Sequence, residues 1–405
     1  MAVKRTESEI KLQSLLEVTK AINSNYSVSE LLDLYREILQ ERLGVGRLVL
    51  FRKEEDWKCL LTYGLKDANI IPEFEEELLN LTDIESITFV NSKLSKQFEI
   101  VIPVYHKQTP LAYVLLGDVD PNKIELSKSV KHLPFVQTLT NIIVVAIENK
   151  KLFKENVVKA QLNKELELAQ NMQQMLFPSE LPNTDSFKVN AYYEPHQQVG
   201  GDYFDFIKLN NHEFIFCIAD VSGKGIPAAI LMSNLQATLQ SLINYTHNLK
   251  DIILELNKRV ITNTNYEKFV SFFLGKINTK SQQLTYINAG HNPPLFFTEG
   301  KVRRLVEGTT LLGIQENLRD VEVEIFNYAA DFVLLCYTDG LTDTINSSKA
   351  SFSLSEIESI VQANINEAPE KINKEIISKA NEFRGEIPFT DDIAMLTIKV
   401  SDLMF

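Results

Sequence analysis

The sequence of 405 residues has few cysteines, and no apolar stretch in it approaches membrane-spanning length. Cys59, Cys217 and Cys336 lie far apart and form no CxxC pair. This spacing argues against a disulfide scaffold or a cysteine-rich zinc site and favours free thiols in a reducing compartment. The N-terminus, Met1–Glu7, lacks the apolar core of a secretory signal. We therefore expect a cytoplasmic protein.

Positive charge is also scarce relative to negative charge. The chain has 41 Lys and Arg against 54 Asp and Glu, a formal net charge of -13. Such a balance argues against a general binder of nucleic acid or of anionic membranes, so we expect neither as a partner. A hydrophobic content of 44% is that of an ordinary globular protein, and the length predicts two or three domains.

The first 149 residues read as a small α+β domain, with helices before and after a set of strands. Residues from about 7 to 43 have helical apolar spacing, and Ser27–Glu30 is a cap signal that restarts the helix. Helix is predicted again through Ile142–Ile147. The intervening strands are predicted at Arg47–Phe51, Cys59–Thr62, Phe98–Pro103 and Leu111–Gly117.

This order of elements resembles the GAF family of sensory domains, most clearly in the opening helices and the Gly46–Phe51 strand. The resemblance implies a regulatory module at 1–149 that has a pocket for an unidentified small-molecule or protein signal. A plain dimerisation platform is the alternative that the same resemblance allows.

Residues 150–178 contain little that would break a helix until Phe177 and Pro178. Charges of both signs alternate along this segment, and its apolar residues keep a rough heptad spacing at Leu162, Leu166, Ala169 and Leu176. We expect a linker helix that forms a short parallel coiled coil and joins two chains as a homodimer. A solvated single helix is the alternative.

Residues 179–405 contain sets of strand-like segments with blocks of helix between them. Strands are predicted at Phe187–Tyr193, Asp202–Lys208, Glu213–Asp220, Phe269–Asn278, Gln283–Ala289, Pro294–Phe297, Val321–Phe326, Phe332–Thr338 and Ile393–Val400. Helices are predicted at Ala228–Tyr245, Leu249–Val260, Leu354–Gln362 and Pro369–Phe383. The order of these segments is too irregular for a parallel doubly wound sheet. It predicts an α+β layered domain in which two sheets pack face to face as a sandwich and helices cover the outside.

Acidic residues stand at several junctions between a core strand and a loop in this domain. A single aspartate of this kind is a turn signal or a helix cap, but several on the rim of one pair of sheets would repel one another strongly. Converging carboxylates favour hard cations such as Mg²⁺ or Mn²⁺ over Zn²⁺. The aspartates concerned are Asp202, Asp205, Asp220, Asp339, Asp343, Asp391 and Asp392.

His291 is the only histidine in a motif flanked by Gly and Pro, Ala289–Pro294. No set of His and Cys residues accompanies it. The motif therefore predicts a turn between two strands rather than a metal ligand.

Six motifs occur in a fixed order: GGDYFDF, ADVSGKGIPAA, NAGHNPPL, LLGI, YTDGLTD and DDIA. Together they resemble the metal-dependent (type 2C-like) protein serine/threonine phosphatases, and more narrowly their bacterial SpoIIE/RsbU-like branch. The resemblance covers about 170–402, and its lead-in at 165–178 resembles the regulatory linker helix of that branch. It implies the two-sheet sandwich of these phosphatases, with two Mn²⁺ or Mg²⁺ ions per active site.

The resemblance also implies a set of metal ligands. Asp202 would bind one metal, and Asp220 would bridge both with the backbone carbonyl of Val221 beside it. Asp339 and Asp391 would complete the second site. Asp392 is the alternative to Asp391, because two adjacent aspartates leave the register open.

Two further acids and one lysine have open roles. Asp205 and Asp343 are either outer-shell groups or ordinary capping and solvated acids. The segment before the first motif, Glu194–Val199, contains no arginine, although type 2C relatives use one there to hold phosphate. Lys224 is a candidate for that role, and the alternative is a surface lysine in a loop.

The activity implied is hydrolysis of phosphoserine or phosphothreonine by a metal-activated water that attacks phosphorus in line. The implied substrate is a small partner similar to an anti-sigma-factor antagonist. A signal at 1–149 would act through the linker helix on Asp202 or Asp220. The alternatives are an inactive signalling scaffold of the same fold and a two-metal phosphodiesterase for small molecules.

Overall fold

The computed structural model describes residues 6–65, 73–74, 76–86, 97–106, 109–117, 127–328 and 331–401. The chain divides into two compact units, Met1–Ala160 and Gln161–Phe405. The division falls inside one long helix, Ser127–Gln174. The bounds 1–149, 150–178 and 179–405 remain the sequence-based prediction.

The first unit is an antiparallel sheet with helices before and after it, as the sequence predicts. Its helices are α1 (Glu7–Asn23), α2 (Val28–Glu37) and α3 (Ser127–Gln174), with short turns at Ile38–Arg42 and Glu76–Asn80. Its strands are β1 (Arg47–Lys53), β2 (Trp57–Tyr63), β3 (Glu85–Ser86), β4 (Ile100–His106) and β5 (Thr109–Gly117), in the order β2-β1-β5-β4-β3.

Local capping fixes the start of α2. The Ser27 side chain accepts from the Glu30 N–H, and the Glu30 carboxylate accepts in return from the Ser27 N–H at 2.7 Å. This capping box satisfies donors that the first helical turn leaves unpaired. The predicted helix restart at Ser27 is confirmed.

In the core of the first unit, the hydroxyls of Tyr35 and Thr140 lie 2.5 Å apart.

The second unit contains two sheets. The first has the order β13-β10-β9-β8-β7, with β14 also paired to β10, and the second has the order β12-β11-β15-β16-β6. Its strands are β6 (Phe187–Glu194), β7 (Tyr203–Lys208), β8 (Glu213–Val221), β9 (Val270–Asn278), β10 (Gln283–Ala289), β11 (Leu295–Thr298), β12 (Lys301–Arg304), β13 (Gly308–Thr309), β14 (Glu324–Asn327), β15 (Phe332–Tyr337) and β16 (Ile393–Val400). Its helices are α4 (Ile226–Ile243), α5 (Leu249–Thr264), α6 (Asp339–Thr342), α7 (Leu354–Ala363) and α8 (Pro369–Arg384).

Successive side chains of each strand point to opposite faces of the sheet, so each side chain belongs to one layer. Ala219 and Val221 of β8 pack with α4 and α5, whereas Phe216 and Ile218 pack against the second sheet. The opposite face of the second sheet packs against α7 and α8. The unit is therefore a two-sheet sandwich covered by helices on both outer faces, as the sequence predicts.

The sequence prediction missed β12 and the two-residue β13. All four residues of β12 are exposed, so the alternation of apolar and polar residues that marks a strand is missing there.

The structure agrees with the prediction for the cysteines, because all three thiols are free and Cys217 and Cys336 are buried.

The sequence predicts no segment that is long and apolar enough to span a membrane. Within the described part of the chain, however, the helix α4 meets these criteria of length and composition. Six of its buried side chains, among them Met232 and Leu239, pack in the core against the first sheet. This packing in the hydrophobic core accounts for the apolar character of α4.

Candidate metal centre

Asp202 and Asp220 lie opposite each other at one end of the first sheet. Tyr203 of β7 pairs with Ala219 of β8 in antiparallel register, so one step further along both strands places Asp202 opposite Asp220. Side chains at directly opposed positions share a face, with Cβ atoms about 5 Å apart. That face is the inner one, because the neighbouring Ile218 packs between the sheets.

The second sheet contributes carboxylates at the same end of the sandwich. Asp339 follows β15 and begins α6, and Asp391 and Asp392 immediately precede β16. The Asp220 carboxyl interacts with the charges of all three, so strand ends from both sheets converge here.

Burial and mutual repulsion raise the pKa values of these groups. Burial raises the pKa of Asp202 well above its usual value, and the charge of Asp220 adds to the effect. The pKa of Asp220 is raised to about 7, by burial first and then by Asp339, Asp391 and Asp392. Burial raises the pKa of Asp339 too, followed by the charges of Asp343 and Asp391. Added positive charge would favour the ionised form of these carboxyl groups.

One oxygen in this cluster has no partner. Oδ2 of Asp202 is buried and forms no hydrogen bond with the described residues. A buried acceptor that stays unpaired is costly, and a cation would satisfy it. The carboxylates do not yet surround a cation in this structure. In the described ranges, no group of three or more His, Cys, Asp or Glu side chains is arranged so that it could hold a metal ion. The residue types and the unpaired oxygen nevertheless fit hard cations with oxygen ligands.

Asp391 and Asp392 have different surroundings, which bears on the alternative that the sequence left open. Asp392 is buried, and its carboxylate accepts from the N–H groups of His196 at 2.7 Å and Gly201 at 2.6 Å. Asp391 is half-buried, and its Oδ2 lies 2.7 Å from Nζ of Lys224. Asp392 thus holds the loop before Asp202, whereas Asp391 faces the cluster with a single cationic partner.

Lys224 is tied into this cluster rather than free in its loop. Its ammonium group forms the ion pair with Asp391 and also donates to the Thr390 carbonyl at 2.5 Å. The side chain stays 42% exposed, which leaves its charge accessible from solvent. The lysine therefore offsets part of the negative charge at the open side of the site.

Two glycines allow the loop before Asp202 to approach its neighbours. A Cβ on Gly201 would lie 2.9 Å from the Val221 carbonyl oxygen, and one on Gly200 would lie 2.4 Å from Asp392 Oδ2. Both distances are shorter than real Cβ contacts, so larger residues would displace the loop. The carbonyl of Val221 consequently lies beside the backbone that carries Asp202.

The structure does not bring Asp205 to the other carboxylates. It accepts hydrogen bonds from the Tyr203 hydroxyl at 2.5 Å and from Gln240 of α4 at 2.6 Å. These bonds tie β7 to α4, on the side of the sheet away from the cluster. Asp343 is exposed, and its charge contributes to the raised pKa of Asp339.

Sequence reasoning missed the role of Gln173 at the end of α3. Its side chain is buried and forms two hydrogen bonds with the backbone of Gly200. Several glutamines occur in this part of the helix, and helical periodicity alone does not single out Gln173.

Residues 210–401 match the family model described as Stage II sporulation protein E (SpoIIE). These residues belong to the SpoIIE family. The fold agrees with the SiaA-PP2C domain of Pseudomonas aeruginosa at a TM-score of 0.54 and 17% identity, over 60% of this chain and 99% of that domain. The predicted family is confirmed for the SpoIIE domain.

Two curated relatives extend the comparison. Phosphoserine phosphatase RsbU of Bacillus subtilis (strain 168) is 29% identical over 188 residues, 46% of this chain and 56% of RsbU. Protein IcfG of Synechocystis sp. (strain ATCC 27184 / PCC 6803 / Kazusa) is 24% identical over 375 residues, 83% of this chain and 58% of IcfG. The chain spans a little over half the length of these two relatives. The GAF-like assignment of the first unit stays a prediction.

Proposed function

We propose that the second unit, which includes the SpoIIE-matched residues 210–401, is a metal-dependent phosphoprotein phosphatase that hydrolyses phosphoserine or phosphothreonine. The observation that carries this proposal is the convergence of aspartates from four strand ends, with the unpaired buried Oδ2 of Asp202 among them. Converging, repelling carboxylates are an arrangement that divalent cations stabilise. RsbU, which the domain resembles, carries the name phosphoserine phosphatase.

The proposed ligands come from both sheets. They are the carboxylates of Asp202, Asp220, Asp339 and Asp391 and the backbone carbonyl of Val221. Two Mn²⁺ or Mg²⁺ ions, when bound, activate water and neutralise the charge on phosphate oxygens. We assign the bridging role to Asp220, and its electrostatic interactions with Asp202 on one side and with Asp339 and Asp391 on the other support this assignment.

The surrounding residues of the chain position this set. Asp392 holds the backbone N–H groups of His196 and Gly201 and so fixes the loop that carries Asp202. Lys224 holds Asp391 and leaves part of its ammonium group exposed toward an incoming phosphate. We assign to Lys224 a share of the phosphate binding that an arginine provides in type 2C relatives.

The openness of the site favours a protein substrate. Asp220, Asp339 and Asp391 are only partly buried, so their carboxylates lie near the surface. A phosphorylated side chain on a folded partner can reach such a site without entering a deep cavity. We propose a small partner similar to an anti-sigma-factor antagonist as the substrate, on the resemblance to the SpoIIE/RsbU-like branch.

Regulation is proposed to come from the first unit through the linker helix, with two chains joined as a homodimer. A single α3 helix in water would leave several large apolar side chains uncovered, and a second copy of the helix would cover them. These side chains, each more than 45% exposed, are Leu152, Phe153, Val157, Val158, Leu162, Leu168 and Met172. Light scattering that gives a dimer for the full chain and a monomer for Leu162→Glu would support this interface. A monomeric full chain would contradict it.

The scaffold alternative requires a degenerate site. None of the proposed ligands is replaced in this chain, and the two glycines that admit the Asp202 loop are also present. A protein that no longer needed metal would be free to lose the repelling carboxylates. The retained set therefore favours the enzyme over the scaffold.

The deciding experiment is p-nitrophenyl phosphate hydrolysis by the full chain with added Mn²⁺, repeated with a phosphoserine peptide. We expect activity that requires metal and falls more than about 100-fold in Asp220→Ala and Asp339→Ala. Asp251→Ala, an exposed aspartate on α5, is the matched control. Metal-independent activity, or equal activity in all variants, would overturn the proposal.

A chain without residues 1–149 tests the regulatory part separately. A change in basal activity or in the Mn²⁺ requirement supports control by the first unit. Activity only in the shortened chain would mean that the first unit inhibits an intact site. Identical kinetics for both chains would contradict such control, whereas inactivity of both with no bound metal would favour the scaffold.

A further inference from the structure

His291 lies in the turn after β10 and is almost fully buried, with 4% of its surface exposed. Its backbone N–H donates to the Asn288 side chain at 2.7 Å, so the turn predicted from the sequence is confirmed. The imidazole itself is not part of the proposed ligand set. Its Nδ1 atom lies 2.8 Å from the hydroxyl oxygen of Ser271 on β9.

The direction of this hydrogen bond follows from the other ring nitrogen. Burial lowers the pKa of His291 to about 4, and the backbone carbonyl of Tyr337 opposes part of that shift. The ring is therefore neutral at pH 7 and carries a single N–H. Ser271 occupies Nδ1, so the Tyr337 carbonyl that acts on the ring faces Nε2, which is buried and has no closer hydrogen-bond partner among the described residues. The interaction with this carbonyl is favourable only when Nε2 carries the proton, which makes Nδ1 the acceptor and the Ser271 hydroxyl the donor.

Ser271 stands directly beside one of the proposed ligands. It pairs with Asp220 across β8 and β9, so the two side chains share the inner face of the sheet. Directly opposed side chains on neighbouring strands have Cβ atoms about 5 Å apart, so the Asp220 carboxylate is a second acceptor within reach of the Ser271 hydroxyl beside the imidazole of His291. A hydroxyl has only one proton to donate, so donation to His291 removes donation to Asp220.

We propose that His291 is a positioning residue that accepts the Ser271 hydroxyl proton in a hydrogen bond and thereby keeps the Asp220 carboxylate free for a divalent cation. This inference rests on the proposed function, because it concerns the affinity of the proposed metal centre. It gives the buried histidine of the NAGHNPPL motif a role that the ligand set leaves unexplained.

The experiment measures Mn²⁺ binding to the full chain by isothermal titration calorimetry, without substrate. His291→Phe keeps an aromatic ring but removes the acceptor, so the Ser271 hydroxyl turns to Asp220 and competes with the metal. A hydrogen bond to a charged group has to be broken before Mn²⁺ binds, which predicts roughly tenfold weaker affinity. His291→Asn keeps an acceptor near Nδ1 and retains the affinity.

The double variant separates this mechanism from simple loss of packing. Ser271→Ala removes the competing hydroxyl, so His291→Phe combined with Ser271→Ala recovers the affinity of the unsubstituted chain. His212→Phe, an exposed histidine, is the control that leaves affinity unchanged. Undiminished affinity in His291→Phe, or a double variant as weak as His291→Phe alone, would overturn the inference.

A second measurement uses the metal-free chain. Nitrogen-15 NMR of labelled histidine, with His291→Asn identifying the signal, is expected to show the tautomer protonated at Nε2 at pH 7. Protonation at Nδ1 would overturn the inference even if the Phe variant did not fold. Absence of any Mn²⁺ binding by the unsubstituted chain would overturn the proposed function instead, and the tautomer would still decide the hydrogen-bond direction.

Discussion

The side-chain amide of Gln173 holds the backbone of Gly200 at both its polar atoms. Nε2 of Gln173 donates to the Gly200 carbonyl at 2.7 Å, and Oε1 accepts from the Gly200 N–H at 3.2 Å. Gly200 lies two residues before Asp202, and the next N–H, that of Gly201, is held by Asp392. The last turn of α3 is thus connected directly to the loop that carries a proposed metal ligand.

Gln173→Ala is expected to lower Mn²⁺-dependent phosphatase activity about tenfold, because two hydrogen bonds that fix the Asp202 loop are lost and a buried backbone group is left unpaired. The measurement is the rate of p-nitrophenyl phosphate hydrolysis as a function of Mn²⁺ concentration. Gln174→Ala is the matched control, since this neighbouring glutamine is exposed. Equal effects of the two substitutions would contradict a specific link from helix to loop.

Asp202→Asn is expected to abolish metal-dependent activity while raising the melting temperature of the metal-free chain. The substitution removes a buried carboxyl whose pKa is raised by burial and by Asp220, and so relieves repulsion that protonation or a bound cation otherwise offsets. Differential scanning fluorimetry with and without Mn²⁺ measures this. Asp251→Asn is the exposed control, and a metal-free melting temperature that falls in Asp202→Asn would disprove the repulsion argument.

Asp391→Asn is expected to weaken Mn²⁺ binding, whereas Asp392→Asn is expected to lower the stability of the fold. The first substitution removes a proposed ligand, so Mn²⁺ affinity falls roughly tenfold with little change in melting temperature. The second disturbs the bonds to the His196 and Gly201 N–H groups and costs about 1–3 kcal/mol of stability. Calorimetric titration and thermal melts distinguish them. The reverse pattern would make Asp392 the ligand.

The pH dependence of stability is expected to reveal Asp220. In the metal-free chain its folded-state pKa of about 7 exceeds the ordinary value of 3.8, so the folded state binds more protons and loses stability as pH rises from about 4 to about 7. The advantage in melting temperature of Asp220→Asn over the unsubstituted chain should therefore grow across that range. Saturating Mn²⁺ should remove this growth, and a constant difference would show that the Asp220 pKa is not raised.

His291 gives the opposite slope in the same experiment. Its folded-state pKa of about 4 lies below the usual 6.5, so stability is complete above about pH 6.5 and is lost as pH falls toward 4. The difference in melting temperature from the unsubstituted chain, measured at every pH for Asp220→Asn and for His291→Phe, separates the contributions of the two groups.

Much of this protein follows from its sequence by local physics. Apolar periodicity located the strands at whose ends Asp202, Asp220 and Asp339 lie, because a buried strand must alternate or remain apolar regardless of its partners. Turn-forming glycines marked the loop before Asp202, and Ser27 with Glu30 marked a helix start. The order of six motifs identified the family.

The tertiary structure decided what depends on contacts between distant segments. Asp391 and Asp392 are adjacent and chemically identical, and only the approach of the His196 and Gly201 backbone distinguishes them. Asp205 lies three residues from Asp202, yet the strand period turns it to the other face, where Gln240 of α4 holds it. Gln173 and Ser271 gain their roles only from the residues that folding places beside them. Residue type and spacing determine the kind of chemistry available, whereas the partners that orient each group come from segments that no local pattern connects.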